Sequence, residues 1–283
     1  MTRLSRLLTG MAHVPEGVWR PTARIVGRAA ALAPAQGVRQ WQDNAAVVLG
    51  RPPTRSETAM AMDSWARNLV LSTQLGRWPA ERLLAQVEVS PEDRNGLVDL
   101  HNRGGVVVAL PHMGSWDLAG AWACALGLPV STVAERVPDF DWYVAARQQL
   151  GFTVHAHDDP RVMAKLIGDA RAGRMVCLVS DRTFTIGGAA VRWRCADGTH
   201  TVRLPMGPAM LARRTGATLL GCAAHFTADG MRLVFSDPIT PHGAATTAMT
   251  QDLADFFSEQ VAQNVTDWHM LVPFFDDQAT DWA

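Results

Sequence analysis

From residue 104 onward, short uninterrupted apolar runs alternate with stretches of helical periodicity. The run at 106–110 is apolar or β-branched without a period of two, as strands covered on both faces are, and strand-like runs follow at 130–134, 152–155, 175–179 and 218–223. The intervals 114–126 and 139–150 are long enough for crossover helices, and Asp159-Pro160 offers the start of a third. Strand-helix alternation predicts an α/β fold with a mainly parallel central sheet flanked by helices. The stretch 181–201 breaks the rhythm with Gly187-Gly188, Asp197-Gly198 and a short strand at 191–194, so it reads as a loop and hairpin. A helix from Pro205-Met-Gly-Pro208 to Gly216, a long helix at 245–263 and an irregular tail at 267–275 complete this part.

Before residue 104 the pattern is helical. Thr54 to Glu57 fits a capping box, followed by Met62, Trp65 and Leu69 on one face as far as Gly76. Ser90-Pro91 with Asp93 starts the helix that delivers the chain to Gly104. Nearer the N-terminus, Leu4, Leu7, Leu8 and Met11 with Arg3 and Arg6 form an amphipathic stretch. A second helix, with Pro21 in its first turn, sets Ile25 and Leu32 beside Arg24 and Arg28. Such stretches suit either an interfacial anchor or docking on their own domain. The organisation expected is a helical N-terminal extension, 1–103, packed on an α/β core, 104–283, as one structural domain.

Charge and composition remove several classes. The net charge of −1, with basic residues spread along the 283 positions, excludes an electrostatic footprint for nucleic acid. Cys124, Cys177, Cys195 and Cys222 are isolated, the usage of a reducing compartment. No apolar run reaches the length of a transmembrane helix, and no signal-peptide core is present.

The chemistry concentrates at Pro111-His-Met-Gly-Ser-Trp-Asp117, where a buried-strand pattern turns into a helix start with Ser115 as N-cap. On a continuous helix, side chains five residues apart diverge. With His112 at the strand end and Asp117 one turn into the helix, the chain folds back and the two can meet. A carboxylate on one imidazole nitrogen fixes the tautomer and leaves the other free to take a proton from a hydroxyl. Other sites are less complete. His155-Ala-His157 with Asp158 and Asp159 is half of a two-metal signature, but position 160 is Pro, so no metal is expected. Ser115 lacks a G-x-S-x-G elbow, and no phosphate loop or dinucleotide fingerprint is present. Met206, Met210, Trp116 and Trp122 at helical spacing read as ordinary core.

The motifs together resemble the bacterial lipid A biosynthesis (lauroyl and myristoyl) acyltransferase family, in particular its actinobacterial phosphatidylinositol mannoside acyltransferases. They are ARNL at 66–69, PHMGSWD at 111–117, AER at 134–136, AARQQLG at 145–151, SDR at 180–182, LPMGPAMLARRTGA at 204–217 and DWHML at 267–271. The resemblance implies an O-acyltransferase moving a fatty acyl chain from acyl-CoA, a co-substrate, to a glycolipid hydroxyl at the inner leaflet of the cell membrane, with no further cofactor. It implies His112 as base and Asp117 as its orienting partner, and amides near Gly114 and Ser115 on the oxyanion. Arg147 would lie near the donor head group, and Glu135, Arg136, Asp181 and Arg182 would brace the site or grip phosphates. One departure stands out. The mannoside enzymes carry a glutamate in a G-V-E-V stretch, and Ala190 occupies that position here. Three consequences are open: a neighbouring carboxylate substitutes; the acceptor is another glycolipid or a specialised metabolite, with acyl carrier protein as a possible donor; or the chain is a non-catalytic lipid-binding paralogue.

Overall fold

The computed structural model describes residues 10–136, 140–183, 188–240, 243 and 245–275. The stretch holding Arg3, Leu4, Arg6, Leu7 and Leu8 lies outside them, as does Gly187. Three helices lead: α1 (Glu16–Leu32), α2 (Gln36–Leu49) and α3 (Arg55–Gln74). α1 starts a turn earlier than Pro21 predicts, leaving that proline inside the helix. α3 opens on the expected capping box, with Glu57 N–H on the Thr54 hydroxyl and Thr54 N–H on the Glu57 carboxylate. Short α4 (Ala80–Ala85), strand β1 (Val87–Glu88) and α5 (Pro91–Gly104) follow, the last capped by Ser90 as its sequence predicts.

The alternating region comprises β2 (Val106–Leu110), α6 (Trp116–Ala125), β3 (Val130–Ala134), α7 (Phe140–Gln148), β4 (Thr153–Ala156), α8 (Val162–Arg171) and β5 (Met175–Val179). A separate hairpin, β6 (Ala189–Cys195) with β7 (Gly198–Leu204), precedes α9 (Gly207–Thr215), β8 (Thr218–Phe226), β9 (Met231–Phe235) and α10 (Thr246–Gln263). The seven-stranded sheet has the order β1-β9-β8-β2-β5-β3-β4, and only the β8–β9 pairing is antiparallel. The sequence pattern misses β1, which has only two residues, and β9, whose five are interrupted by Arg232. Asp159 does not cap α8, whose N-cap is Arg161; its carboxylate takes the Arg161 amide at 2.8 Å instead.

β2 is central, and all five of its residues are buried. Val107 and Ala109 face a core shared with α2, α9, α10 and the hairpin; Val106, Val108 and Leu110 face one shared with α5 and α6. A strand covered on both faces has no polar side to show, which is why its sequence does not alternate. β2 and β5 run in parallel register, Leu110 opposite Val179, and the Ser180 amide bonds the Leu110 carbonyl at 2.8 Å. The residues beyond both strands therefore leave the sheet together, at the carboxyl edge where open α/β sheets form crevices.

Candidate active site

His112 follows β2 and Asp181 follows β5, so the strand pairing brings them face to face. His112 Nδ1 is hydrogen-bonded to Asp181 Oδ1, and the His112 backbone amide donates to Asp181 Oδ2 at 2.9 Å. A third donor, the Trp268 indole N–H, reaches Oδ2 at 3.0 Å. Asp181 is fully buried, whereas the His112 side chain keeps 21% of its surface exposed. Burial alone would push the Asp181 carboxyl up; the adjacent imidazole and the converging donors outweigh it and hold it below the usual carboxylate range. An ionised carboxylate on Nδ1 fixes that nitrogen as the donor and leaves Nε2 as a proton acceptor.

The expected partner of His112, Asp117, faces elsewhere. Its carboxylate takes Arg147 Nε at 2.8 Å and Nη2 at 3.0 Å in a bidentate pair, and the Ser72 hydroxyl at 2.7 Å. Only 12% of the arginine side chain and 5% of the aspartate remain accessible. Asp117 thus ties α6 to α3 and α7, and the carboxylate that orients the imidazole is Asp181. The spacing argument fails here because the first turn of α6 rotates Asp117 toward α3 and α7. Arg147, engaged with Asp117 and stacked 4.6 Å from the Tyr143 ring, is a brace between helices rather than an open phosphate ligand.

The turn after His112 is held by a distant segment. Gly114 N–H donates to the Asp267 carbonyl at 2.9 Å, and His269 N–H to the His112 carbonyl at 2.7 Å, with Met113 and Trp268 bridged between them. Gly114 has φ +57°, and a Cβ there would collide with the Ala224 carbonyl oxygen, so the position accepts only glycine. Its amide, already bonded to Asp267, is not placed to serve an oxyanion. Ser115 is buried and its hydroxyl takes the Leu118 amide at 3.3 Å, so it caps α6 rather than presenting itself to a substrate.

A model of the bacterial lipid A biosynthesis acyltransferase family matches residues 5–276. The chain belongs to this family. It is 34% identical over 281 residues to the phosphatidylinositol mannoside acyltransferase of Mycolicibacterium smegmatis, covering 95% of this chain and 88% of that protein. The enzyme of the same name from Mycobacterium tuberculosis (strain CDC 1551 / Oshkosh) is 32% identical over 246 residues, 84% of this chain and 77% of that one. The protein is therefore an acyltransferase.

In this acyltransferase the remaining expected residues are held in ion pairs. Arg182 Nη2 donates to Glu135 at 2.7 Å, and Arg136 Nε to Asp158 at 2.8 Å. Ala190 is exposed on β6, opposite Arg203. Of the divided metal signature, His155 bonds Asp169 at 2.6 Å, His157 accepts the Arg136 amide, and Asp159 pairs with Lys165. Among the described residues, Cys195, Asp197 and His200 at the hairpin turn lie close enough to share an ion. Burial pushes the Cys195 thiol up to about 12, which disfavours the thiolate a metal would need.

Two features were not read from the sequence. A small apolar pocket is lined by Trp116, Ala119, Trp122, Ala123, Leu233 and Phe235 among others. Trp116 also meets the His112 ring edge-on, centroids 5.5 Å apart, so one indole borders both the histidine and the pocket. Trp122 is buried core as expected, and with Trp116 it also lines this pocket. The second is a polar stripe on α3. Ser64 donates to Asp267 at 2.6 Å and meets His269 Nε2 at 2.9 Å, and two turns on Ser72 bonds Asp117. The Met62–Trp65–Leu69 face predicted the opposite, and Trp65 is 36% exposed. His269 is buried and held neutral, its pKa lowered to about 3 by burial and by the neighbouring His112 against the pull of Asp181.

Proposed function

We propose that this chain is an O-acyltransferase that uses His112 as general base to move a fatty acyl group from acyl-CoA to a hydroxyl of a phosphatidylinositol mannoside-like glycolipid. The observation that carries the reading is His112 itself, locked by a buried carboxylate on Nδ1 and partly open on its other edge, beside a small apolar pocket. His112 Nε2 takes the proton of the acceptor hydroxyl as its oxygen attacks the thioester carbonyl. Asp181 stabilises the imidazolium that forms. The tetrahedral intermediate collapses with cleavage of the C–S bond, and the CoA thiolate leaves with the proton from His112. The N-terminal field of α6, which begins just after the base, favours the negative charge of the intermediate.

The pocket's lining supports an apolar group as cargo: a surface without charged side chains favours methylenes and rejects ions. The names of the M. smegmatis and M. tuberculosis relatives support the acceptor. Ala190 favours a second acceptor class, another glycolipid or a specialised metabolite. Asp181 answers the catalytic part of that departure as a carboxylate already on the base.

For the cytoplasmic membrane face, the support is α1. Its inner side buries Trp19, Ala23 and Gly27, while Val18, Ile25, Val26 and Leu32 are exposed with Arg24 and Arg28 nearby. Apolar side chains rimmed by arginine suit an anionic lipid surface. Among the described residues no helix is long and apolar enough to cross a membrane.

The test is transfer by purified protein from palmitoyl-CoA to phosphatidylinositol mannosides, read by CoA release and by mass spectrometry of the lipid. His112→Ala is expected to abolish transfer with the fold intact, and full retained activity overturns the reading. Running acyl carrier protein thioester and non-mannosylated glycolipids in parallel separates donor and acceptor classes.

A further inference from the structure

Among the described residues three donors hold the Asp181 carboxylate, and two of them belong to His112, its ring and its backbone amide. A carboxylate gripped only by the residue it orients would swing with that residue. The third donor, the Trp268 indole at 3.0 Å, is the one that ties Oδ2 to another part of the protein. That indole is itself immobilised. Trp268 is fully buried, its carbonyl accepts from Trp41 Nε1 at 2.9 Å, and its ring stacks on Trp193 at 6.1 Å and meets Phe274 edge-on at 4.8 Å. Contacts from α2, to the backbone, and from the β6–β7 hairpin and the C-terminal segment, to the ring, thus converge on one residue.

We propose that Trp268 is a positioning residue for the acyl-transfer base: its indole N–H fixes the Asp181 carboxylate, and the carboxylate in turn fixes the His112 ring. The inference rests on the reading of His112 as general base. It assigns the chemical use of the hairpin and α2, neither of which supplies a residue hydrogen-bonded to His112. Removing the N–H leaves Asp181 with donors from His112 alone, so the carboxylate loses orientation and concentrates its charge on the imidazolium. The other ionisable neighbours do not compensate. His269 on the C-terminal segment is neutral, Asp117 on α6 is neutralised by Arg147 on α7, and Glu135 beyond β3 is engaged by Arg182.

The experiment is Trp268→Phe in the full chain, which keeps an aromatic ring and deletes the donor. Loss of one hydrogen bond to a charged group predicts a fall in kcat of about 10- to 100-fold with both KM values within about twofold of wild type. The acidic limb of the pH–rate profile is expected to move to higher pH by about half a unit, because the freed carboxylate favours the imidazolium more strongly. A merely structural tryptophan would lower the melting temperature and leave that limb in place. Where Trp268→Phe does not fold, 3-benzothienylalanine at position 268 replaces the N–H by sulfur without changing ring shape, with the same expected result. Unchanged kcat and pH profile in a folded variant overturns the proposal while leaving the base intact. Full transfer by His112→Ala overturns both.

Discussion

Asp181 grips His112 at two points, the imidazole Nδ1 and the backbone amide, so the ring and the turn that carries it are fixed by one carboxylate. The double contact makes Asp181 the residue whose charge and shape both matter. Asp181→Asn keeps the shape, but an amide can turn its NH2 toward Nδ1 and favour the wrong tautomer. A loss in kcat of roughly 10³- to 10⁴-fold with little change in KM is expected, by the order seen when a triad aspartate is made an amide. CoA release under saturating acyl-CoA checks it.

Asp117 predicts the contrasting phenotype. Removing one partner of a well-buried ion pair leaves an uncompensated charge, a loss of about 3–5 kcal/mol in stability. Asp117→Asn should therefore lower the urea midpoint markedly, and the double variant Asp117→Asn/Arg147→Met should recover part of it. Equal loss in single and double variants would show that the pair is not what holds α6, α3 and α7 together.

These two aspartates mark where the sequence is legible. The strand 106–110 was readable because a central parallel strand carries no polar face, and 130–134 and 175–179 because short strand-like runs alternate with helical stretches. The caps at Thr54, Ser90 and Ser115 were readable because capping is local. His112 was readable as the residue at the end of such a strand. Its partner was not, because Asp181 reaches it through strand order, and no spacing along the chain encodes which strand lies beside β2. Trp268 was hidden for the same reason. DWHML was visible as a motif, but its hold on the turn at 112–114 exists only after folding. The buried polar face of α3 was misread because periodicity counts apolar residues, and this helix covers polar groups of the site.

His269 sets a pH dependence of stability. It is held neutral in the fold, with a pKa near 3 against an ordinary histidine value of about 6.5 in the unfolded chain. Below pH 6.5 the unfolded state binds a proton that the native state refuses, so this contribution is complete above pH 6.5 and falls progressively toward pH 3. Urea midpoints should drop between pH 7.5 and 5, and His269→Gln should flatten that slope. An identical slope in the variant would locate the titration elsewhere.

If the acyl chain of the proposed reaction passes the pocket beside Trp116, that pocket sets chain-length selectivity. Ala119 lines it one turn into α6, and Ala119→Leu fills space without adding charge. Relative kcat/KM for palmitoyl- against octanoyl-CoA should fall about tenfold, in the range expected for a few methylenes in an apolar pocket. A uniform loss for both donors would mean that the acyl chain lies elsewhere.

The exposed side of α1 is separable from folding, since Ile25 and Leu32 are 65% and 70% exposed. Ile25→Glu/Leu32→Glu should leave the melting temperature within a degree or two and reduce flotation with anionic vesicles several-fold. Unchanged flotation would place the lipid contact on another surface.

The clasp of residues 267–269 on the turn at 112–114 also orders events in time. Domains emerge from the ribosome N-terminal part first, and the sheet strands through β9 precede the clasp in the chain. A nascent chain halted before Trp268 would hold its histidine and aspartate but lack the segment that closes the turn. On the proposed mechanism, the orientation of the base is thus among the last features of the site to be set in place during synthesis.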